Sequence, residues 1–69
     1  MTFKIDQFYM DSVYGTMKYL GVKDGNHLFD RYIKSYDGWL PMGQRVNLDP
    51  EFQDRRNEAG RTRQILPPQ

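Results

Sequence analysis

The stretch at residues 26–36 has the most regular pattern of apolar residues in the chain, so it constrains the fold most. Its apolar positions are Leu28, Phe29, Tyr32, Ile33 and Tyr36. At about 100° per residue these positions cover an arc of about 140°, which is one face of an α-helix. Adjacent apolar pairs do not suit a half-buried strand, because successive side chains of a strand point to opposite faces. The pattern therefore predicts a helix that Asn26 caps and that ends at Asp37 and Gly38.

A second helix is predicted ahead of the first one, over residues 7–20. Its apolar positions recur at helical spacing and are Met10, Val13, Tyr14, Met17 and Leu20. Gly21 follows the last of them, where a helix commonly ends. Residues 22–25 are then a short connection, so the two helices form a hairpin.

The sequence around Pro50 is a strong signal for the start of a helix. Asp49 can cap the helix, Pro50 suits its first position, and Glu51 lies at the positive end of the helix dipole. The predicted helix covers residues 50–59 and docks loosely, because Phe52 is its main apolar anchor. Residues 61–69 hold no feature that fixes them, so a flexible C-terminal tail is expected beyond a single domain of residues 1–60.

These patterns predict a mainly α fold: a two-helix hairpin, a covering loop at Trp39 and a loosely docked third helix. The alternative is a small α+β fold with a β-meander and a C-terminal helix. Two Asp-Gly dipeptides, at Asp24 and Asp37, are typical of tight hairpin turns, and tyrosines are common in strands. The sequence leaves the choice between helix and hairpin around Asp24 and Gly25 open.

Composition limits the class of protein to a small domain without covalent cross-links. The chain has 69 residues, no cysteine and a net charge of +1. Disulfides and cysteine-based zinc sites are therefore excluded, and oligomerisation or partner binding is the remaining source of extra stability. No window approaches 18 consecutive apolar residues, so no membrane contact is expected, and a cytoplasmic location is the default.

Catalytic chemistry has little support in the sequence. The chain holds one histidine, His27, which the predicted helix turns toward solvent without an orienting partner. The serines lack the context of a catalytic nucleophile, and no glycine-rich loop has the spacing of a phosphate-binding motif. We therefore expect no catalytic residue, no metal site and no cofactor, and we expect that the protein is not an enzyme.

The aromatic content favours a protein-binding surface. Nine of the ten aromatic residues lie between Phe3 and Trp39. On the predicted helix over residues 7–20, Phe8 and Tyr19 lie opposite the apolar stripe, where they can form a surface with Trp39. Exposed aromatic residues of this kind are enriched at protein interfaces. The favoured function is a non-enzymatic small protein-binding module, such as a regulator, an inhibitor or an assembly subunit, with a protein partner or a second copy as ligand.

A small nucleic-acid-binding protein is the alternative. It depends on an arginine cluster near the C-terminus, formed by Arg55, Arg56, Arg61 and Arg63. Such clusters can bind phosphates or a nucleic-acid groove, although three acidic residues lie just upstream. A helix–turn–helix arrangement with residues 26–36 as the reading helix is a further route to DNA. The identity of the partner and the oligomeric state do not follow from the sequence.

Overall fold

A computed structural model describes residues 2–66 of the chain. In this structure the protein is a five-stranded antiparallel sheet with one short helix. The elements in chain order are β1 (Phe8–Asp11), β2 (Gly15–Lys23), β3 (Asn26–Ser35), β4 (Gly38–Leu48), α1 (Pro50–Glu58) and β5 (Thr62–Ile65). The prediction of a mainly helical protein is therefore wrong.

The stretch that was predicted as the central helix is the strand β3. Leu28 and Phe29 are both buried although they point to opposite faces of the sheet. The sequence analysis rejected a strand here because a strand with one buried face would not hold adjacent apolar residues. In the structure both faces of β3 are partly covered. Ile33, which the helix would bury, is 55% exposed, and Tyr36 is fully exposed.

The turn between β2 and β3 explains why this segment is a hairpin. Lys23 pairs with Asn26, so the connection has only two residues. Both of them, Asp24 and Gly25, have positive φ angles, of 53° and 80°. Two-residue hairpins with this conformation match the twist of the flanking strands, and Asp-Gly is one of the dipeptides that favour it.

The other predicted helix, residues 7–20, is the β1–β2 hairpin. Its turn is organised by Asp11, whose carboxylate accepts hydrogen bonds from the backbone N–H groups of Val13 and Tyr14, at 2.8 and 3.1 Å. A short polar side chain that bonds its own backbone in this way competes with helix formation. The hairpin therefore has a local cause that the apolar spacing did not reveal.

The strands are arranged in the order β4-β3-β2-β1-β5. The first four form a meander, and α1 links β4 at one edge to β5 at the other. The prediction of a flexible tail over residues 61–69 is wrong for Thr62–Ile65, because these residues form β5 and pair with β1 along its length. Residues 67–69 lie outside the described part of the chain. The alternative of a meander with a C-terminal helix describes β1 to α1, but it does not include β5.

The core lies on one side of the sheet, which we call the inner face. Its buried residues are Tyr9, Met17, Tyr19, Phe29 and Leu48. Phe3, ahead of β1, covers them, and its ring centroid lies 4.8 to 5.2 Å from those of Tyr9, Tyr19 and Phe29. Aromatic rings supply most of this small core, which compensates for the low total of apolar residues.

The helix α1 begins where the sequence predicted. The Asp49 carboxylate accepts hydrogen bonds from the backbone N–H groups of Glu51 and Phe52, at 2.9 and 3.2 Å, and Pro50 occupies the first turn. Its docking differs from the prediction, because Phe52 is 46% exposed and the buried residues are Gln53 and Arg56. Within residues 2–66, no helix has the length and apolar character needed to cross a membrane.

Candidate binding surface on the outer face of the sheet

The side of the sheet opposite the core is the outer face, and its residues follow from the strand register. Residues that are paired across antiparallel strands share a face. One row crosses all five strands and consists of Ile65, Phe8, Lys18, Asp30 and Arg45. A second row consists of Arg63, Met10, Thr16, Tyr32 and Pro41. Three further pairs on this face are Lys34–Trp39, Leu28–Asn47 and Lys23–Asn26.

Charge is distributed very unevenly between the outer face and the rest of the chain. The face carries five of the ten basic residues, namely Lys18, Lys23, Lys34, Arg45 and Arg63. Its paired strand positions carry one of the nine acidic residues, Asp30, and Asp24 lies in the turn at its border. The difference gives the face a net charge of +4, although the whole chain has only +1. A field of this sign attracts anionic partners to one side of the molecule.

Three aromatic side chains lie among these cations, and each has a lysine as a close neighbour. Phe8 pairs with Lys18 across β1 and β2, and Trp39 pairs with Lys34 across β3 and β4. The third ring, Tyr32, has the Lys18 Nζ atom 5.5 Å from its centroid. The Phe8 and Tyr32 rings meet edge to face with centroids 5.1 Å apart. All three rings are half-buried, so part of each remains accessible.

Lys18 is held in its charged form. Hydrogen bonding with the Tyr32 side chain raises the pKa of the Lys18 ammonium above its ordinary value, and the carboxylates of Asp6 and Asp30 act in the same direction. Lys18 thus places a positive charge beside the rings of Phe8 and Tyr32. A cation next to a partly exposed ring is an arrangement that suits a ligand with alternating negative charge and flat apolar surface.

The predicted aromatic surface of Phe8, Tyr19 and Trp39 is only partly brought together. Phe8 and Trp39 lie on the outer face, but Tyr19 is buried in the core on the inner face. The helical interpretation placed Phe8 and Tyr19 on the same side of one helix. In the strand β2 the successive side chains of Lys18 and Tyr19 point to opposite faces of the sheet. The residue that shares a face with Phe8 is therefore Lys18.

The predicted arginine cluster does not form one free basic surface. Arg55, Arg56 and Arg61 line a cavity of about 250 Å³ beside α1, together with Phe52 and Ala59. Arg55 is paired with Glu51 at 2.7 Å, and Arg56 is buried in an ion pair with Asp11. This leaves Arg61 as the one arginine of that cavity without an ion-pair partner among the described residues. Arg63 lies elsewhere, on the outer face.

The buried ion pair belongs to a network that attaches α1 to the sheet. The Asp11 carboxylate accepts hydrogen bonds from the Arg56 guanidinium and, at 2.6 Å, from the Thr62 hydroxyl. The Thr62 hydroxyl in turn accepts a hydrogen bond of 2.9 Å from the Gln53 amide. Burial raises the pKa of Asp11, but the hydrogen bonds from Thr62, Arg56 and two backbone N–H groups outweigh burial and lower it overall. A carboxylate that is ionised and fully engaged in this way is a structural group.

His27 is placed differently from the prediction. It lies half-buried in β3, where its Nδ1 atom is 2.9 Å from the Tyr19 hydroxyl and its ring meets the edge of Phe3. Burial raises the pKa of the Tyr19 hydroxyl above its ordinary value. No group of three or more acidic, histidine or cysteine residues arranged to hold a metal occurs within residues 2–66.

No family model, no curated protein and no solved structure matches this chain. Functional inference therefore depends on the surface chemistry of the described residues.

Proposed function

We propose that the protein is a non-enzymatic module that binds single-stranded nucleic acid on the outer face of its sheet. The observation that supports this proposal is the charge of the face, +4 in a chain of +1, with three half-buried aromatic rings among its cations. The ligand is the same in class as the alternative drawn from the sequence, but only Arg63 of the four clustered arginines belongs to the proposed binding face.

The roles of the residues follow from the structure of a single strand. Phosphates lie along a strand at regular intervals and are bound by Lys18, Lys34 and Arg63, which releases condensed counterions. Unstacked bases pack on the rings of Tyr32 and Trp39. Single strands fit this face better than duplexes, because the bases of a duplex are already stacked on one another and cannot reach an aromatic ring.

Binding of a fluorescein-labelled single-stranded dT12, followed by fluorescence anisotropy, tests the proposal. We expect binding that weakens with salt and a loss of about 0.7 in the log–log salt slope when Lys34→Gln removes one phosphate contact. Trp39→Ala should weaken binding by about 1–3 kcal/mol, the stacking free energy of one base. These effects distinguish a phosphate contact from a stacking contact, because Trp39→Ala should leave the salt slope nearly unchanged.

Two variants serve as controls for this experiment. Lys4→Gln removes an exposed lysine outside the outer face, and Phe52→Ala removes an exposed ring on α1. Lys4→Gln should alter the affinity only by the small general effect of one charge, and Phe52→Ala should leave it unchanged. Absence of binding to dT12 and to the equivalent RNA at low salt would overturn the proposal. Equal losses in the control variants would show that the outer face is not the site.

A protein-binding function is the second candidate, and a different part of the molecule favours it. The end of the β3–β4 hairpin that carries its turn exposes three apolar side chains: Ile33 at 55%, Leu40 at 54% and Met42 at 39%. Ile33 and Leu40 are cross-strand neighbours, and β4 is one of the two edge strands of the sheet. Residues 38–44 hold no charged side chain, whereas edge strands commonly carry charges that prevent pairing.

The partner we assign to this apolar hairpin end is a second copy of the chain. Two β4 edges can pair antiparallel about a two-fold axis, which places the same apolar side chains on both sides of the interface. Sedimentation velocity between about 5 and 500 μM should then show a dimer that Leu40→Glu abolishes. Val22→Glu, at another exposed apolar position, should leave the dimer intact. A monomer at every concentration would rule out this second function.

A further inference from the structure

A cavity of about 230 Å³ opens on the outer face beside the β2–β3 turn. Its lining residues are Lys23, Asp24, Asn26, Leu28, Arg45 and Asn47. All but Asp24, which lies in the turn, belong to the paired rows of the outer face. Arg45 also ends the row that crosses all five strands, so the cavity is continuous with the surface proposed to bind a single strand.

The size and lining of the cavity match a flat, neutral heterocycle. At about 230 Å³ the cavity is much larger than the space that a single water needs. Leu28, which is buried, supplies apolar surface against which a ring can pack. The amides of Asn26 and Asn47 each offer a donor and an acceptor at the edge of the same space.

The charges around the cavity favour a neutral group inside it and anionic groups at its rim. The Arg45 Nε atom is 3.2 Å from the Asp30 carboxylate, so part of its charge is compensated. Asp24 adds a carboxylate that would repel a phosphate held inside. Lys23 is exposed and can bind a phosphate that lies outside, next to the bound ring.

We infer that this cavity receives one unstacked nucleobase of the single strand and that its amides give the protein a base preference. The inference rests on the proposed nucleic-acid function and adds specificity to it. The donor and acceptor of an asparagine amide match the N6–N7 edge of adenine, so adenine is the base we expect.

The test compares dT12 with the same strand carrying one adenine near its centre. The full chain should bind the adenine-containing strand at least about fivefold more tightly, as one well-formed amide–base contact discriminates between bases by this factor or more. Asn47→Ala should bring the two affinities together. Asn47 is exposed, so the variant should fold, which thermal unfolding followed by circular dichroism checks.

The control is Gln44→Ala. Gln44 lies in β4, as Asn47 does, but its exposed amide lies outside the cavity. This variant should keep the fivefold preference. If neither strand binds, the proposed function fails. If both strands bind equally well to the unmodified protein, or if Asn47→Ala keeps the preference, the function stands and the base-binding cavity is wrong.

Discussion

Phe29→Ala should lower the free energy of unfolding by about 3–5 kcal/mol, the usual cost of removing a large buried aromatic side chain. Phe29 is fully buried, and its ring lies 5.2 Å from those of Phe3 and Tyr19. A domain of this length has a total stability of only about 3–10 kcal/mol. Urea denaturation followed by circular dichroism should therefore show a variant that is unfolded or close to unfolding at 25 °C.

Ile33→Ala is the matched control on the same strand. Ile33 is more than half exposed, so this substitution should change the free energy of unfolding by no more than about 0.5 kcal/mol. A helical stripe would bury Ile33 and Phe29 together and make the two substitutions similar in cost. A large loss of stability for Ile33→Ala would thus contradict the sheet described above.

Asp11→Ala should cost about 3–5 kcal/mol, because it leaves the Arg56 guanidinium buried without its counter-ion. The side chain of Asp11 is fully buried and that of Arg56 is nearly so. The matched control is Glu51→Ala, which breaks the exposed pair with Arg55 and should cost less than about 1 kcal/mol. Similar costs in the two variants would mean that α1 is not held to the sheet through Asp11.

The same carboxylate makes stability depend on pH in the acid range. The folded-state pKa of Asp11 lies below its ordinary value of 3.8, so the unfolded state binds the proton more readily. Its contribution is complete above about pH 4 and is lost as the pH falls through the lower folded-state pKa. Asp11→Asn should remove the part of the stability loss at low pH that comes from protonation of Asp11. The measurement is the difference in urea midpoint between pH 6 and pH 2.5. If Asp11→Asn showed the same difference in midpoint as the unmodified protein, Asp11 would not be a source of the pH dependence.

Local signals in the sequence predicted the start of α1, but the sequence analysis missed the strands and the turn at Asp11. Asp49 and Pro50 act on neighbouring backbone groups, so their effect does not depend on what packs nearby. The same holds for Asp24 and Gly25, although the sequence left their hairpin as an alternative. Apolar spacing failed because Leu28 and Phe29 are buried on opposite faces, and a strand covered on both faces lacks the alternation that identifies it.

The candidate surface could be recognised only in part. Phe8 and Trp39 were singled out as binding residues, and both lie on the outer face. The charge of that face was invisible, because its basic residues are spread from position 18 to position 63 and are separated by acids that point elsewhere. Strand register alone brings Lys18, Lys34 and Arg63 onto one surface.

The sequence by itself determined the elements that depend on neighbouring residues: the cap of α1, the two-residue turn chemistry, and the absence of disulfides. The tertiary structure decided which apolar residues form the core, because burial depends on partners that are distant in the chain. It also decided the role of Asp11, whose partner Arg56 lies 45 positions away. The segregation of charge onto one face arises in the same way, since pairing between strands, and not spacing along the chain, determines which side chains share a surface.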